Sequence, residues 1–129
     1  MIKRSKQREL IYDNLCNRYD HPTAEMLFED LRKIRTNLSL GTVYRNLSLL
    51  VEMGQIQKIS TEYGPDRFDG NAKPHLHFVC KNCGCVMDFP MEDDGELIMK
   101  ASQSFSGTIE SVNIQFVGIC PDCCNKNMH

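Results

Sequence analysis

The chain has no apolar run near the length needed to cross a bilayer, and its first residues, MIKRSKQREL, lack the apolar core of a secretion signal. Both absences point to the cytoplasm. There is no internal repeat and no low-complexity segment, which argues against a repeat array or a disordered linker protein. An even cysteine count is also lacking. Seven cysteines in a reducing compartment read as metal ligands, and the odd number argues against a closed disulfide framework. Length is short too: 129 residues hold one ordinary domain or two small ones, and neither half has room for a large core. Metal staples would offset that shortage.

What is present begins with an uneven charge. Residues 1–58 carry ten Lys/Arg against seven Asp/Glu, whereas residues 59–129 carry five against ten, so a net charge of −2 splits into +3 and −5. A basic first part beside an acidic, ligand-rich second part suits one half that meets a polyanion and another that senses something.

Taken in order, Ser5 caps a first helix to about Tyr19, with Leu10, Ile11, Leu15 and Cys16 on its apolar stripe and His21-Pro22 as its stop. Thr23 caps a second helix to about Arg35, with Met26, Leu27, Leu31 and Ile34 facing inward. Ser39 caps a third, Leu40 to about Met53, with apolar Leu40, Val43, Leu47, Leu50 and Val51 at intervals of three and four and Gly54 closing it. Ile56–Ser60, a turn at Tyr63-Gly64-Pro65, and Arg67–Asp69 read as a two-stranded wing. The outward residues of the third helix, Thr42, Tyr44, Arg45 and Asn46, donate to base edges and phosphates, as a recognition helix in a major groove must. Lys3, Arg4 and Lys6 are candidates for phosphate contact. The alternative is a helix-turn-helix used only to bind protein.

Residues 70–74 form a polar hinge, and the second half opens on PHLHFVCKNCGCVMD. His75 and His77, two apart on a strand, leave one face roughly 7 Å apart along the backbone, a chelating separation. Cys80-Lys-Asn-Cys83-Gly84 turns the chain, and Val86–Phe89 returns. If Cys80 faces Cys85, then Asp88 falls opposite His77. Beyond lie a helix over about Glu92–Phe105, with Leu97, Ile98, Ala101 and Phe105 on one side, and a strand over Thr108–Gly118. Cys120-Pro-Asp-Cys123 follows. So small a sheet with one helix buries little alone, so pairing with a second copy is the expected remedy.

Cys80, Cys83, Cys120 and Cys123 supply four thiolates from two knuckles, the ligand set of a closed structural zinc site. Redox-active pairs are the alternative. Cys85 and Cys124 adjoin the knuckles and are able to shift the ligand register, while Cys16 reads as core. His75, His77 and Asp88 form a harder nitrogen and oxygen set. His21 and Asp69 are the candidates to join it from the first half, their other readings being a helix stop and a turn residue. A zinc enzyme would need an open metal position beside a general base or nucleophile, and no Glu, Ser or Cys is placed for that role. A zinc-stapled interaction module would explain the zinc but not the five harder ligands.

His21-Pro-Thr-Ala, Ser39-Leu-Gly-Thr-Val-Tyr-Arg-Asn-Leu, Arg67-Phe-Asp69, His75-Leu-His77, Cys80-Lys-Asn-Cys83-Gly and Cys120-Pro-Asp-Cys123 resemble the ferric uptake regulator family in unbroken order over nearly the whole chain. The resemblance implies an α+β protein: a winged helix-turn-helix DNA-binding domain over 1–69, a hinge over 70–74, and a small α/β dimerisation and metal-sensing domain over 75–129. It implies structural Zn(II) on Cys80, Cys83, Cys120 and Cys123, and a regulatory metal on His21, Asp69, His75, His77 and Asp88. Three imidazoles and two carboxylates suit Fe(II) or Mn(II). The implied activity is that of a homodimeric, metal-dependent repressor on a palindromic operator, not an enzyme. Aspartate rather than glutamate at 88 makes the chain more similar to the peroxide-responsive branch, where bound iron and hydrogen peroxide oxidise a ligand histidine; His21 and His75 hold the matching positions. An iron- or manganese-responsive repressor without peroxide sensing is the alternative, and Arg45 is similar to that branch. The family's helix before Lys3 is missing from this sequence, so weaker DNA binding is expected. The segment 111–118 lacks the histidine of a third metal site.

Overall fold

The computed structural model describes residues 5–73, 75–91, 95–110 and 112–126. The chain divides into two compact units, Met1–Lys73 and Pro74–His129. Lys3 and Arg4, the start of the helix expected from Glu92, and Ser111 lie outside the described residues.

The first unit is a winged helix-turn-helix. Its helices are α1 (Lys6–Cys16), α2 (Ala24–Leu31) and α3 (Leu40–Glu52), and its wing is β1 (Gln57–Thr61) against β2 (Gly64–Asp69). Each helix starts where a hydroxyl stands ready to cap it. Ser5 Oγ accepts from Arg8 N at 3.3 Å, Thr23 Oγ1 from Met26 N at 3.2 Å, and Ser39 Oγ from Thr42 N at 3.1 Å. Ile11, Leu15, Leu27, Leu31, Val43, Leu47 and Leu50 close over Ile56, just before the wing, and Phe68 of β2 to make one core.

Helix ends differ from the periodicity. α1 stops at Cys16, where the Asn17 side-chain amide donates back to Asp13 O at 2.9 Å and ends the ladder. Cys16 is therefore exposed rather than core. α2 stops at Leu31 in a turn that leaves Ile34 69% exposed, so Ile34 is not part of the inward face. The wing turns at Glu62-Tyr63, because Thr61 pairs with Gly64, and the strand already runs through Gly64 and Pro65. The residues after the wing are tied to it. Asp69 Oδ1 accepts from Asn71 N at 2.9 Å, and Gln57 Nε2 donates to the carbonyls of Asn71 and Lys73 at 2.9 and 2.8 Å. Gly70 passes so close to α1 that a Cβ there would lie 2.9 Å from Cys16 Cα.

The second unit holds a three-stranded sheet in the order β4-β3-β5, with β3 (His77–Cys80), β4 (Val86–Asp88) and β5 (Gln115–Gly118), and the helices α4 (Glu96–Gln103) and α5 (Pro121–Lys126). β3 and β4 are antiparallel with His77 opposite Asp88, and Cys80 N donates to Cys85 O at 3.0 Å, the register counted from the turn. β5 runs parallel to β3, Cys80 lying beside Gly118, which delivers Cys120 to the knuckle. Strand pairing covers only the last residues of the expected Thr108–Gly118 strand. α4 has no buried residue, and Leu97, Met99, Phe105 and Val117 stand 49%, 66%, 57% and 49% exposed. That much uncovered apolar surface is what an interface to another copy looks like from one side.

Candidate metal centres

The cysteine knuckles converge. One sulfur from each of Cys80, Cys83, Cys120 and Cys123 lies within 4.8 Å of all the others, and the Cys80–Cys123 and Cys83–Cys120 sulfur pairs are both 3.8 Å apart. A zinc ion at its usual 2.3 Å from four sulfurs would set them about 3.8 Å apart in a regular tetrahedron. The residues therefore fit the ion. Gly84, at φ 79°, makes the left-handed turn that lets its N–H reach Cys80 O at 2.9 Å. Backbone N–H groups of Cys83 and Cys120 point at Cys80 Sγ at 3.5 and 3.3 Å. Burial pushes the Cys80 thiol up, but the N–H groups of Cys83, Cys120 and Asn82 outweigh it and bring it to about 6. These donors stabilise the thiolate that a metal needs. Cys85 packs beside the cage, and Cys124 is exposed, its sulfur 3.7 Å from Ile119 O.

The harder donors lie in both units. In the first, His21 Nδ1 is 2.9 Å from Tyr19 O, a pure acceptor, so the proton sits on Nδ1 and the Nε2 lone pair is left outward. That Nε2 faces Asp69 Oδ2 at 3.1 Å. Two acceptors at this distance need a cation between or beside them, either a proton or a metal ion. Ligand atoms about 2.1 Å from one ion and at right angles would be about 3.0 Å apart. His21 has a positive φ of 50°, and Arg67 Nη1 donates to its carbonyl at 3.2 Å. Phe68 N donates to Pro22 O at 2.9 Å, so the His21 segment is laid along the edge of β2.

In the second unit, His75 and His77 present their rings 4.4 Å apart between centroids. Asp88 Oδ1 lies 2.8 Å from His75 Nε2 and 3.7 Å from His77 Nε2. The shared carboxylate oxygen gathers both imidazoles into one cluster of candidate ligands, and Asp88 stands opposite His77 as the strand count expected.

On α3, Tyr44 and Arg45 are exposed, while Thr42 and Asn46 are half-buried. Asn46 Nδ2 is spent on Thr42 O at 2.9 Å, and Arg45 Nη2 rests on Thr42 Oγ1 at 3.2 Å. Tyr44 OH donates to Glu25 Oε1 at 2.7 Å, and this carboxylate raises the phenol pKa. Gly41 and Ser48 complete the exposed stripe with Tyr44 and Arg45, at spacings of three and four that the outward set did not include. Lys6 is exposed on α1.

Against known proteins, the profile of the Ferric uptake regulator family matches residues 1–117. The chain belongs to the ferric uptake regulator family. It is 29% identical over 128 residues to the peroxide operon regulator of Bacillus subtilis, covering 99% of this chain and 88% of that protein. Among solved structures it is similar to the Helicobacter pylori ferric uptake regulator, with a TM-score of 0.82 and 25% identity over 95% of this chain and 83% of that one. It is also similar to the Campylobacter jejuni peroxide stress regulator, with a TM-score of 0.78 and 26% identity over 91% and 88%. The protein is thus a metal-dependent DNA-binding repressor of a dimeric family, not an enzyme, and its four-cysteine cluster fits a structural zinc ion. Among the described residues no helix is long and apolar enough to cross a membrane.

Proposed function

We propose that the chain is a peroxide-responsive repressor, and that His21, Asp69, His75, His77 and Asp88 together hold one regulatory Fe(II) or Mn(II) ion. The observation that carries the reading is the aspartate at 88, whose single oxygen serves both His75 and His77. It is supported by the peroxide regulators among the relatives of the chain. The donor set, three imidazoles and two carboxylates, is harder than the thiolate cage and suits metals of that class.

Metal affinity and DNA affinity are then linked, because His21 and Asp69 belong to the DNA-binding unit and the other three ligands to the second. Two copies present two α3 helices to a palindromic operator, with half-sites about 34 Å apart or a multiple of that. Arg45 and Tyr44 read bases, assisted by Thr42 and Asn46, and Lys3, Arg4 and Lys6 hold phosphates. The repressor works in the cytoplasm, where the DNA is.

Fe(II) held there would supply the electron that turns hydrogen peroxide into a local oxidant. The susceptible residues are the ligands His21 and His75. His21 holds its lone pair outward through the Tyr19 carbonyl, and an oxygen added to either ring weakens its hold on the metal and releases DNA. The test is mass spectrometry of the Fe(II) form after mild peroxide treatment, with operator release followed in parallel. One added oxygen at His21 or His75, absent from the Mn(II) form, is expected. An Fe(II) form that keeps its DNA with unmodified histidines would leave an iron- or manganese-responsive repressor, the reading that Arg45 favours.

A further inference from the structure

The zinc cage carries a fifth thiol that tetrahedral coordination does not use. Cys85 is separated from Cys83 only by Gly84, and its half-buried side chain packs on the Cys80, Cys120 and Cys123 cluster. The Cys83 and Cys120 sulfurs form one edge of the tetrahedron, 3.8 Å long. Cys85 therefore sits against the cage without belonging to its four. Of the four ligands, Cys83 alone is exposed, while Cys80, Cys120 and Cys123 are buried. The solvent-facing ligand is thus the one with a spare thiol at its side.

We propose that Cys83-Gly84-Cys85 is a reversible thiol oxidation site that opens the zinc cage. The oxidant is hydrogen peroxide. The Cys83 sulfur attacks one peroxide oxygen: an S–O bond forms, the O–O bond breaks, and water leaves after taking up a proton, giving a sulfenic acid. The Cys85 sulfur then attacks the Cys83 sulfur, the S–S bond forms, the S–O bond breaks, and the hydroxyl leaves as water with the Cys85 proton. Two thiols lose two electrons, and one peroxide becomes two waters. Zinc is left with three thiolates, and its hold on the knuckle falls. Gly84, already in the left-handed region at φ 79°, has the freedom to close so small a ring. A disulfide across one residue is strained, and strained disulfides are the readily reduced, regulatory kind. Cellular dithiols would therefore reverse it. This response needs no regulatory metal and is separate from histidine oxidation.

The experiment uses full-length, zinc-loaded protein in the Mn(II) form, which keeps iron chemistry silent. Peroxide is added, zinc release is followed with a colorimetric chelator, and disulfides are mapped by mass spectrometry. Dithiothreitol and zinc are then restored. Wild-type protein is expected to lose zinc, show a Cys83–Cys85 linkage and recover its zinc. Cys85→Ser and Cys85→Ala, which leave the four ligands in place, should begin with the same zinc content. They should then be oxidised at Cys83 to the sulfinic acid and fail to recover zinc on reduction. Full recovery by both variants would overturn the proposal. So would a wild-type linkage among the four ligands alone, or a Cys85–Cys120 linkage, which would displace Cys83 from the role.

Discussion

Replacing Arg67 by methionine tests how the first unit holds His21 and Asp69, its proposed metal donors. Arg67 is half-buried in β2; its Nη1 donates to His21 O at 3.2 Å and lies 3.9 Å from Met26 Sδ. The carbonyl it engages belongs to a residue at φ 50°, immediately before a proline. A left-handed non-glycine residue costs of order 1–3 kcal/mol, and the following proline narrows its backbone further. A hydrogen bond from a charged donor contributes about 1.5–3 kcal/mol when buried, and half-exposure brings this toward the lower end. The bond therefore offsets much of the strain that aims His21 Nε2 at Asp69.

Arg67→Met keeps the packing stem and removes the donor, so about 1–2 kcal/mol of that orientation should be lost. With 1.4 kcal/mol per factor of ten, the Mn(II) concentration for half-maximal operator binding should rise roughly tenfold. Arg67→Lys should fall between, since it keeps a charge but not the planar fork. The assay is a Mn(II) titration of operator binding beside thermal unfolding of the same variants. A variant that is destabilised but keeps the wild-type Mn(II) midpoint would refute the reasoning and leave Arg67 with a purely structural role.

Cys80→Ser should release zinc and, because metal binding in so small a unit is folding free energy, dissociate the dimer; gel filtration with zinc analysis checks this, and a zinc-free dimer would contradict it. Arg45→Ala should cost roughly 1–3 kcal/mol at the operator and relax specificity, while Lys6→Ala should weaken all DNA alike and lower the salt slope; equal loss on operator and random DNA for Arg45→Ala would count against base reading. Asp88→Glu moves the carboxylate by about an ångström, which is large against a ligand tolerance of about 0.2 Å. It should keep Mn(II)-dependent DNA binding while the Fe(II) form no longer releases DNA in peroxide, as a gel-shift series would report.

Local chemistry was the most legible part of the sequence. Ser5, Thr23 and Ser39 were recognisable as caps because a hydroxyl before an apolar periodic run has one strong use, and all three accept the bond expected of them. The pairing of Asp88 with His77 followed from counting outward from a tight turn. Helix ends were less legible. Asn17 ends α1 by a side-chain bond that apolar spacing does not encode, and Ile34 looks inward by period yet falls past the last helical turn. The strand expected from Thr108 shortened because alternation alone does not supply a partner, and β3 has only enough length to pair Gln115–Gly118. Arg67 and the Tyr19 carbonyl were not legible as supports of His21. They act through backbone atoms, 46 and 2 residues away, and leave no side-chain motif.

The β3–β4 hairpin carries both chemistries, and alternation keeps them apart. His77, with the His75 ring beside it, leaves one face of β3, whereas Cys80, three residues beyond, leaves the other, so soft and hard donors would not compete for one ion. They remain joined through register. β4 is only three residues long, and so short a pair specifies its alignment weakly on its own. The knuckle at its tip fixes Cys80 against Cys85, and the same count sets His77 against Asp88. A slip of one residue would turn Asp88 away from both imidazoles. Under the proposed function, zinc at the knuckle would position the hard donors without touching them, and by linkage a metal held at His75, His77 and Asp88 would tighten the hold on zinc by the same factor.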